Sequence, residues 1–331
     1  MKSLSEIPFS LLELAPMRLG ENAGQTLARS LEYARHADAL GIHRFWLAEH
    51  HNMQGIASSA TSVLIGAVAA NTRRMRVGSG GIMLPNHPPL VVAEQFGTLD
   101  ALYPGRIDLG LGRAPGTDPL TSRALRRDDM RAEHFPEEVA QLQKLLGEAD
   151  PNARVRAVPG EGSQVEIWLL GSSLFSAQLA AERGLPYAFA GHFAPRFSYE
   201  ALALYRDRFQ SSAVLSEPYA VLGLPLIAAQ SDEEARWLAT SSQQRVLALM
   251  RGEPLWLKPP VDSMDGLWTA QERASVESFL GLQVAGGPAT VKSKLAHIIH
   301  EFQIDELMFT NDLYDQGKRL EALTILESLR A

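Results

Sequence analysis

The sequence predicts a parallel (β/α)8 barrel of the TIM type, and two observations carry the prediction. Eight short apolar runs, starting at Ile7, Arg44, Arg76, Ile107, Glu166, Tyr187, Tyr219 and Glu306, are nearly all followed by a stretch with helical periodicity. Strict alternation of this kind forces parallel pairing, and eight units can close on themselves. The residues able to carry chemistry stand just after at least four of those runs, where the C-terminal rim of a barrel would gather them. A doubly wound open sheet is the alternative topology. The length of 331 residues suits either two domains or one α/β barrel. We expect one barrel domain over 1–331, with insertions after strand 4 and around strand 7.

Taken in order, Ile7 to Leu14 is a strand ended by Ala15-Pro16, and Thr26 to Leu40 a helix closed by Gly41. Arg44 to Ala48 is the second strand. Ser58 or Ser59 is placed to cap a helix running to Asn71, with Val63, Leu64, Ala67 and Val68 as its apolar face. Arg76 to Leu84 is the third strand, and the helix after Pro88-Pro89 turns Val92, Phe96, Leu99 and Tyr103 inward before Pro104-Gly105 stops it. In the fourth strand Ile107, Leu109 and Leu111 alternate with Asp108, Gly110 and Gly112, so one face is large and the other small. Small residues facing inward would leave room for a ligand.

The regular beat stops from Ala114 to Gln164, apart from a helix over Pro136 to Leu146, and this stretch is read as an insertion over one rim. It resumes with the strand from Glu166 to Leu170, a helix from Phe175 closed by Gly184, the strand from Tyr187 to Ala190 and a helix over Pro195 to Phe209. Tyr219 to Ala228 is apolar enough to be buried on both faces, and Ser231 with Glu234 reads as a capping box. Met250 to Thr269 is a second, proline-rich excursion. Gly286-Gly287-Pro288 opens the next helix, Glu306 to Thr310 is the last strand and Lys318 to Leu329 the last helix.

Composition narrows the function. With 46% hydrophobic and 21% charged residues the chain can bury a large core. A net charge of -7, with Lys and Arg scattered, argues against nucleic-acid and anionic-membrane surfaces and leaves a small molecule as the expected partner. The absence of cysteine removes disulfides, thiolate metal sites and thiol catalysis, and fits a cytoplasmic protein. Glu6, Pro8 and Glu13 interrupt the N-terminal apolar patch, so neither a signal segment nor a membrane span is expected.

Four clusters are candidates for chemistry. In Glu49-His50-His51 strand alternation puts Glu49 and His51 on one side and His50 on the other, which disfavours one metal held by all three. A pair of hydrogen-bonded rim histidines balances evenly against His50 as a general acid or base. Gly80 and Gly81 interrupt an apolar strand and mark either a bend or a bare backbone surface for a flat ring. Arg113, after a glycine-rich run that fits a dinucleotide fingerprint poorly, is either a surface ion-pair partner or a cation for a phosphate or anionic ring. Gly171-Ser172-Ser173 joins a strand to a helix: simple N-capping is the commoner outcome, a phosphate site the sharper one. His192 can reach the same rim, although a lone histidine is more often structural.

These residues, in the stretches WLAEHH, SGGIMLPNHPP, AEQFGTLDALYPGRIDLGLGRAPG, WLLGSS and AGHFAP, resemble the bacterial luciferase-like flavin monooxygenases over nearly the whole chain. The resemblance implies a (β/α)8 barrel that binds reduced FMN, often supplied by a separate flavin reductase, and reacts it with O2 to a flavin C4a-hydroperoxide that oxidises a small organic substrate. It places the catalytic histidine on His50, a non-proline cis peptide under the flavin ring at Gly80 to Gly81, the arginine near the flavin on Arg113 and the phosphate loop on Gly171 to Ser173. Glu49, His51 and His192 remain substrate or rim candidates, and no metal is expected. Gly112 stands where the luciferases carry a cysteine, so light emission is not implied. A homodimer is expected. A deazaflavin-dependent hydride-transfer enzyme, a flavin-binding protein without turnover and, last, a metal-dependent hydrolase are the competing readings.

Overall fold

The computed structural model describes residues 2–125, 132–163 and 165–330. In chain order the elements are β1 (Phe9–Glu13), α1 (Ala23–Leu40), β2 (Arg44–Leu47), α2 (Thr61–Asn71), β3 (Arg76–Met83), α3 (Pro89–Leu102) and β4 (Ile107–Gly112). They continue with α4 (Pro119–Ala124), α5 (Phe135–Leu146), β5 (Glu166–Gly171), α6 (Leu174–Arg183), β6 (Tyr187–Phe189), α7 (Ser198–Arg208) and β7 (Ala220–Ala228). The last are α8 (Asp232–Arg251), α9 (Ala270–Phe279), β8 (Val284–Gly286), α10 (Pro288–Phe302), β9 (Glu306–Thr310) and α11 (Gln316–Ser328). Among the described residues no helix is long and apolar enough to cross a membrane.

Every strand pairing is parallel, and the order β1-β2-β3-β4-β5-β6-β7-β9 returns to β1, which closes an eight-stranded barrel. The ninth strand, β8, lies outside that ring. It pairs only with the far end of β7, through Leu226, Ile227 and Ala228. Its three residues are too few to show a period, and Gly286, expected to open the next helix, instead ends this strand while the helix begins at Pro288.

Strand alternation sorts the side chains into an outer and an inner set. The outward residues, such as Phe9, Leu11, Phe45, Leu109, Leu169, Phe189 and Phe309, belong to one continuous core between strands and helices. The inward ones stack in layers. Ser10, Arg44, Asp108 and Glu306 form a buried charged floor, while Leu12, Trp46, Trp168, Ala188, Val221 and Met308 form an apolar layer above it. Trp46 and Trp168 meet edge to face with centroids 5.2 Å apart. Above them the inner positions shrink to Gly80, Gly112 and Gly223, and the barrel opens into a cavity.

The helix ends show where local expectations held. Gly41 adopts the left-handed conformation that closes α1, at φ 87°. At α2, by contrast, no side chain caps the N-terminus, because Ser58 and Thr61 donate instead to the Ala48 carbonyl at 2.6 and 2.9 Å. Its buried face is Ile65, Val68 and Ala69, and Val63 points outward at 69% exposure. Ser231 does cap α8, but the Glu234 carboxylate accepts from the Gln230 N–H rather than from that of Ser231.

The two insertions behave differently. The first contributes Ala114 and Gly116 to the cavity wall, and further along Thr121 of α4 accepts a hydrogen bond from Asn52 at 2.9 Å. Its later part runs down the outside, where Gly160 packs so closely on Gly97 of α3 that no side chain fits between them. The second, residues 252–269, crosses the mouth. Leu255 N–H donates to Gln54 at 2.8 Å, its backbone presses on Gly55, and Leu257 donates to Met17 at 2.8 Å. Ser241 and Gln244 of α8 hold its Lys258 and Pro259 carbonyls at 2.8 and 2.9 Å.

Candidate functional site

A cavity of about 500 Å3 lies at the C-terminal mouth of the barrel. Its wall is mostly apolar, and the polar groups in it come from the ends of several different strands, as the alternation predicts.

Strand β3 faces the cavity with Gly80 and Gly81, which carry no side chain, and at its end with Met83. The Gly80–Gly81 peptide is cis, and the register with β4 shifts between Gly80 and Ile82. A methyl group on Gly80 would collide with Leu12 and Trp46, and one on Gly81 with Leu170 and the Gly110 carbonyl. Bare backbone is therefore required here, and it gives the cavity a glycine floor free of Cβ atoms.

His50 borders this floor. Its Nδ1 is buried without a hydrogen-bond partner. Burial lowers its pKa, and the Arg245 cation adds to the effect, so the imidazole is neutral at pH 7. His192 is alike: Nδ1 is buried and unpartnered, the ring lies over Gly223, and burial drives its pKa down to about 4.

Glu49 and His51 do share one side, but they join a residue the sequence reading did not single out. The buried Glu49 carboxylate accepts from His51 Nε2 at 2.8 Å, His87 Nε2 at 2.9 Å, Asn86 Nδ2 at 3.3 Å and the Met83 N–H at 3.1 Å. Burial alone would raise its pKa, but the bonds from His51 and His87 outweigh that and hold it at about 2. This carboxylate ties the end of β2 to the segment following the Gly80–Gly81 bend. Glu49, His51 and His87 have donor atoms within 4.8 Å of one another, the spacing a cation would need, and here those atoms hydrogen-bond to each other.

Ser172 and Ser173 sit at the start of α6, where Ser173 takes the N-cap position without a side-chain cap bond. The first-turn N–H groups are thus free of side-chain capping. Gly171 is needed because Ser176 fills the space a side chain would take. Arg113 comes to the same place from β4, its guanidinium 4.0 Å from the centre of the Phe175 ring. A cation beside an uncapped helix start is a setting for an anion such as a phosphate monoester.

Two further charged residues line the cavity, Arg245 and Asp312, together with the neutral polar residues Ser242, Gln283 and Thr310. Arg245 Nη1 pairs with the Asp312 carboxylate, and its Nε donates to the Leu255 carbonyl at 3.3 Å. Asp312 follows β9 and obeys the rim rule that found Glu49 and Arg113. Arg245 had a signal too, since a charged residue continues the buried 238–241–245–248 spacing of α8.

The sequence profile of the family described as luciferase-like monooxygenase matches residues 8–306. A luciferase-like monooxygenase of Escherichia coli (strain K12) is 52% identical over 320 residues, covering 96% of each chain. An N-acetyl-S-alkylcysteine monooxygenase of Bacillus subtilis (strain 168) is 41% identical over 189 residues, covering 56% of this chain and 57% of that one. Among solved structures apo-MsnO8 superposes with a TM-score of 0.90 at 34% identity, covering 98% of both chains.

Proposed function

The chain belongs to the luciferase-like monooxygenase family and is an oxidoreductase, and from that premise we propose that it uses reduced FMN and O2 to oxidise a small organic substrate. One observation carries the reading. His50, the bare Gly80–Gly81 backbone, Arg113 and the uncapped start of α6 all border one cavity.

The residues fit the group. The phosphate would lie on the N–H groups and hydroxyls of Ser172 and Ser173 with Arg113 as counter-cation, and the ring system would lie on Gly80 and Gly81, where no Cβ is tolerated. When bound, reduced flavin supplies the electrons that let O2 deliver one oxygen atom to the substrate. The protein's part is positioning and protection. Neutral His50 can give a proton from one ring nitrogen and take one at the other, next to the reacting centre. Glu49 holds the backbone beyond the glycine floor in place. The 252–269 crossing and the apolar wall keep water out.

The finer assignments belong to the same reading: residues 1–331 as one cytoplasmic barrel domain, FMN as an exchangeable cofactor from a separate reductase, and a homodimer. The outward apolar residues Val63 of α2 and Leu102 of α3, 69% and 64% exposed, suit a helix-to-helix contact between two copies.

The test supplies photoreduced FMN and N-acetyl-S-benzylcysteine, a thioether of the class named for the Bacillus subtilis relative, under 18O2. A product carrying one 18O atom is expected. Turnover with a reduced deazaflavin and no 18O uptake would replace the monooxygenase with a hydride-transfer enzyme, and binding of FMN without product from a panel of thioethers, aldehydes and ketones would leave a flavin-binding protein.

A further inference from the structure

The polar groups of the cavity fall on two sides of the mouth. Arg113 and the Ser172-Ser173 turn follow β4 and β5. Arg245 and Asp312 follow β7 and β9, with β6 and its His192 between the two sets in the barrel order. A single phosphate cannot account for both cations, so the second needs its own explanation.

Arg245 is 7% exposed, and what it exposes faces the cavity. Nε and Nη1 are engaged by Leu255 and Asp312, whereas Nη2 makes no hydrogen bond among the described residues. His50 and His192 add unpartnered Nδ1 atoms to the same cavity. Around this polar group the wall is largely apolar, built by Ile56, Val246, Leu249, Leu255 and Leu280, with Ser242, Thr310 and Gln283 as its neutral polar members. A pin that only fastened the 252–269 crossing would need Nε alone, and an aliphatic residue would line the cavity at lower desolvation cost. A guanidinium with a free edge set in a largely apolar wall matches a planar carboxylate attached to an apolar body.

We propose that Arg245 anchors a carboxylate on the substrate, with Asp312 as the internal counter-ion that the incoming carboxylate competes with, so that the oxidised molecule is an apolar organic acid. What happens to that acid rests on the flavin reading above, but its binding does not, and the two can fail separately.

The test is calorimetric titration of the flavin-free protein at pH 7 with three probes of one shape: 4-phenylbutyrate, 4-phenylbutanol and 4-phenylbutylamine. The acid is expected to bind about ten-fold more tightly than the alcohol, with the amine weakest. Arg245→Met should bring the acid down to the alcohol's affinity and leave the alcohol within about two-fold. Asp312→Asn should strengthen acid binding several-fold, the opposite of what loss of a purely structural pair would do. If Arg245→Met does not fold, Asp312→Asn and the double variant give the same reading. Equal binding of acid and alcohol by the parent protein, an acid preference that survives Arg245→Met, or weaker acid binding in Asp312→Asn would each overturn the proposal. So would loss of the preference for FMN over riboflavin in Arg245→Met, because Arg245 would then belong to the phosphate.

Discussion

The floor and the mouth of this barrel are built from the same alternating strands, yet they treat buried polar atoms in opposite ways. At the floor, Arg44 pairs with Asp108 at 2.8 Å, Glu306 at 3.2 Å and Glu166 at 3.4 Å, Arg76 also grips Asp108 and Glu166, and Trp46 and Tyr219 donate to Asp108 and Glu306 at 2.9 Å each. Burial would lower the Arg44 pKa, but the three carboxylates raise it; Asp108 is held down although burial opposes this, while in Glu166 burial wins and raises it. At the mouth, His50 and His192 keep unpartnered nitrogens, Arg245 keeps a free edge, and glycines replace side chains. A network that satisfies its members holds the barrel together; atoms left unsatisfied in a cavity wait for a ligand.

The contrast can be broken from either side. Arg44→Met leaves carboxylates facing one another in a dry interior and should cost about 3–5 kcal/mol in urea unfolding, whereas His50→Gln should change stability by no more than about 0.5 kcal/mol. In turnover the order reverses. Once a substrate is in hand, His50→Gln should lower coupled product formation about 10^2- to 10^3-fold with FMN binding intact, and unchanged coupling would make His50 structural. The pH dependence of folding separates the regions more gently. The unfolded chain protonates the His192 side chain near pH 6.5, and the folded protein, with its pKa at about 4, does not. Stability should therefore fall as pH drops from 6.5 to 4 and level off below, by about 2 kcal/mol once solvent in the cavity is allowed for, and His192→Phe should flatten that decline. Smallest is Arg113→Ala, which should weaken FMN about ten-fold and leave riboflavin unchanged in fluorescence quenching.

Much of this was legible in the sequence because the signals were periodic. The eight barrel strands follow from alternation, and the small inner face of β4 from Asp108, Gly110 and Gly112 alone. Glu49, His50, Arg113 and Ser172 could be placed at the mouth from sequence because each follows the C-terminal end of a parallel strand. What stayed hidden depends on contact rather than period. His87 meets Glu49 only because two loops converge across 38 positions of sequence. Val63 looked like core by composition, but the helix face that meets the barrel is fixed by its neighbours. Arg245 continues the buried spacing of α8, but a charge inside a helix ordinarily signals a solvated face, so that spacing alone does not single it out.

Strand β7 is nine residues long and fully buried, and its upper end leaves the ring to pair with β8. It divides the cavity wall into two parts. Residues that would meet the flavin sit on β2 to β5, while much of the wall on the Arg245 side, including Val246, Leu249, Leu255, Phe279 and Leu280, comes from the block hung on β7. Changes within residues 229–287 can alter which molecule is accepted while the strands that meet the flavin keep their sequence.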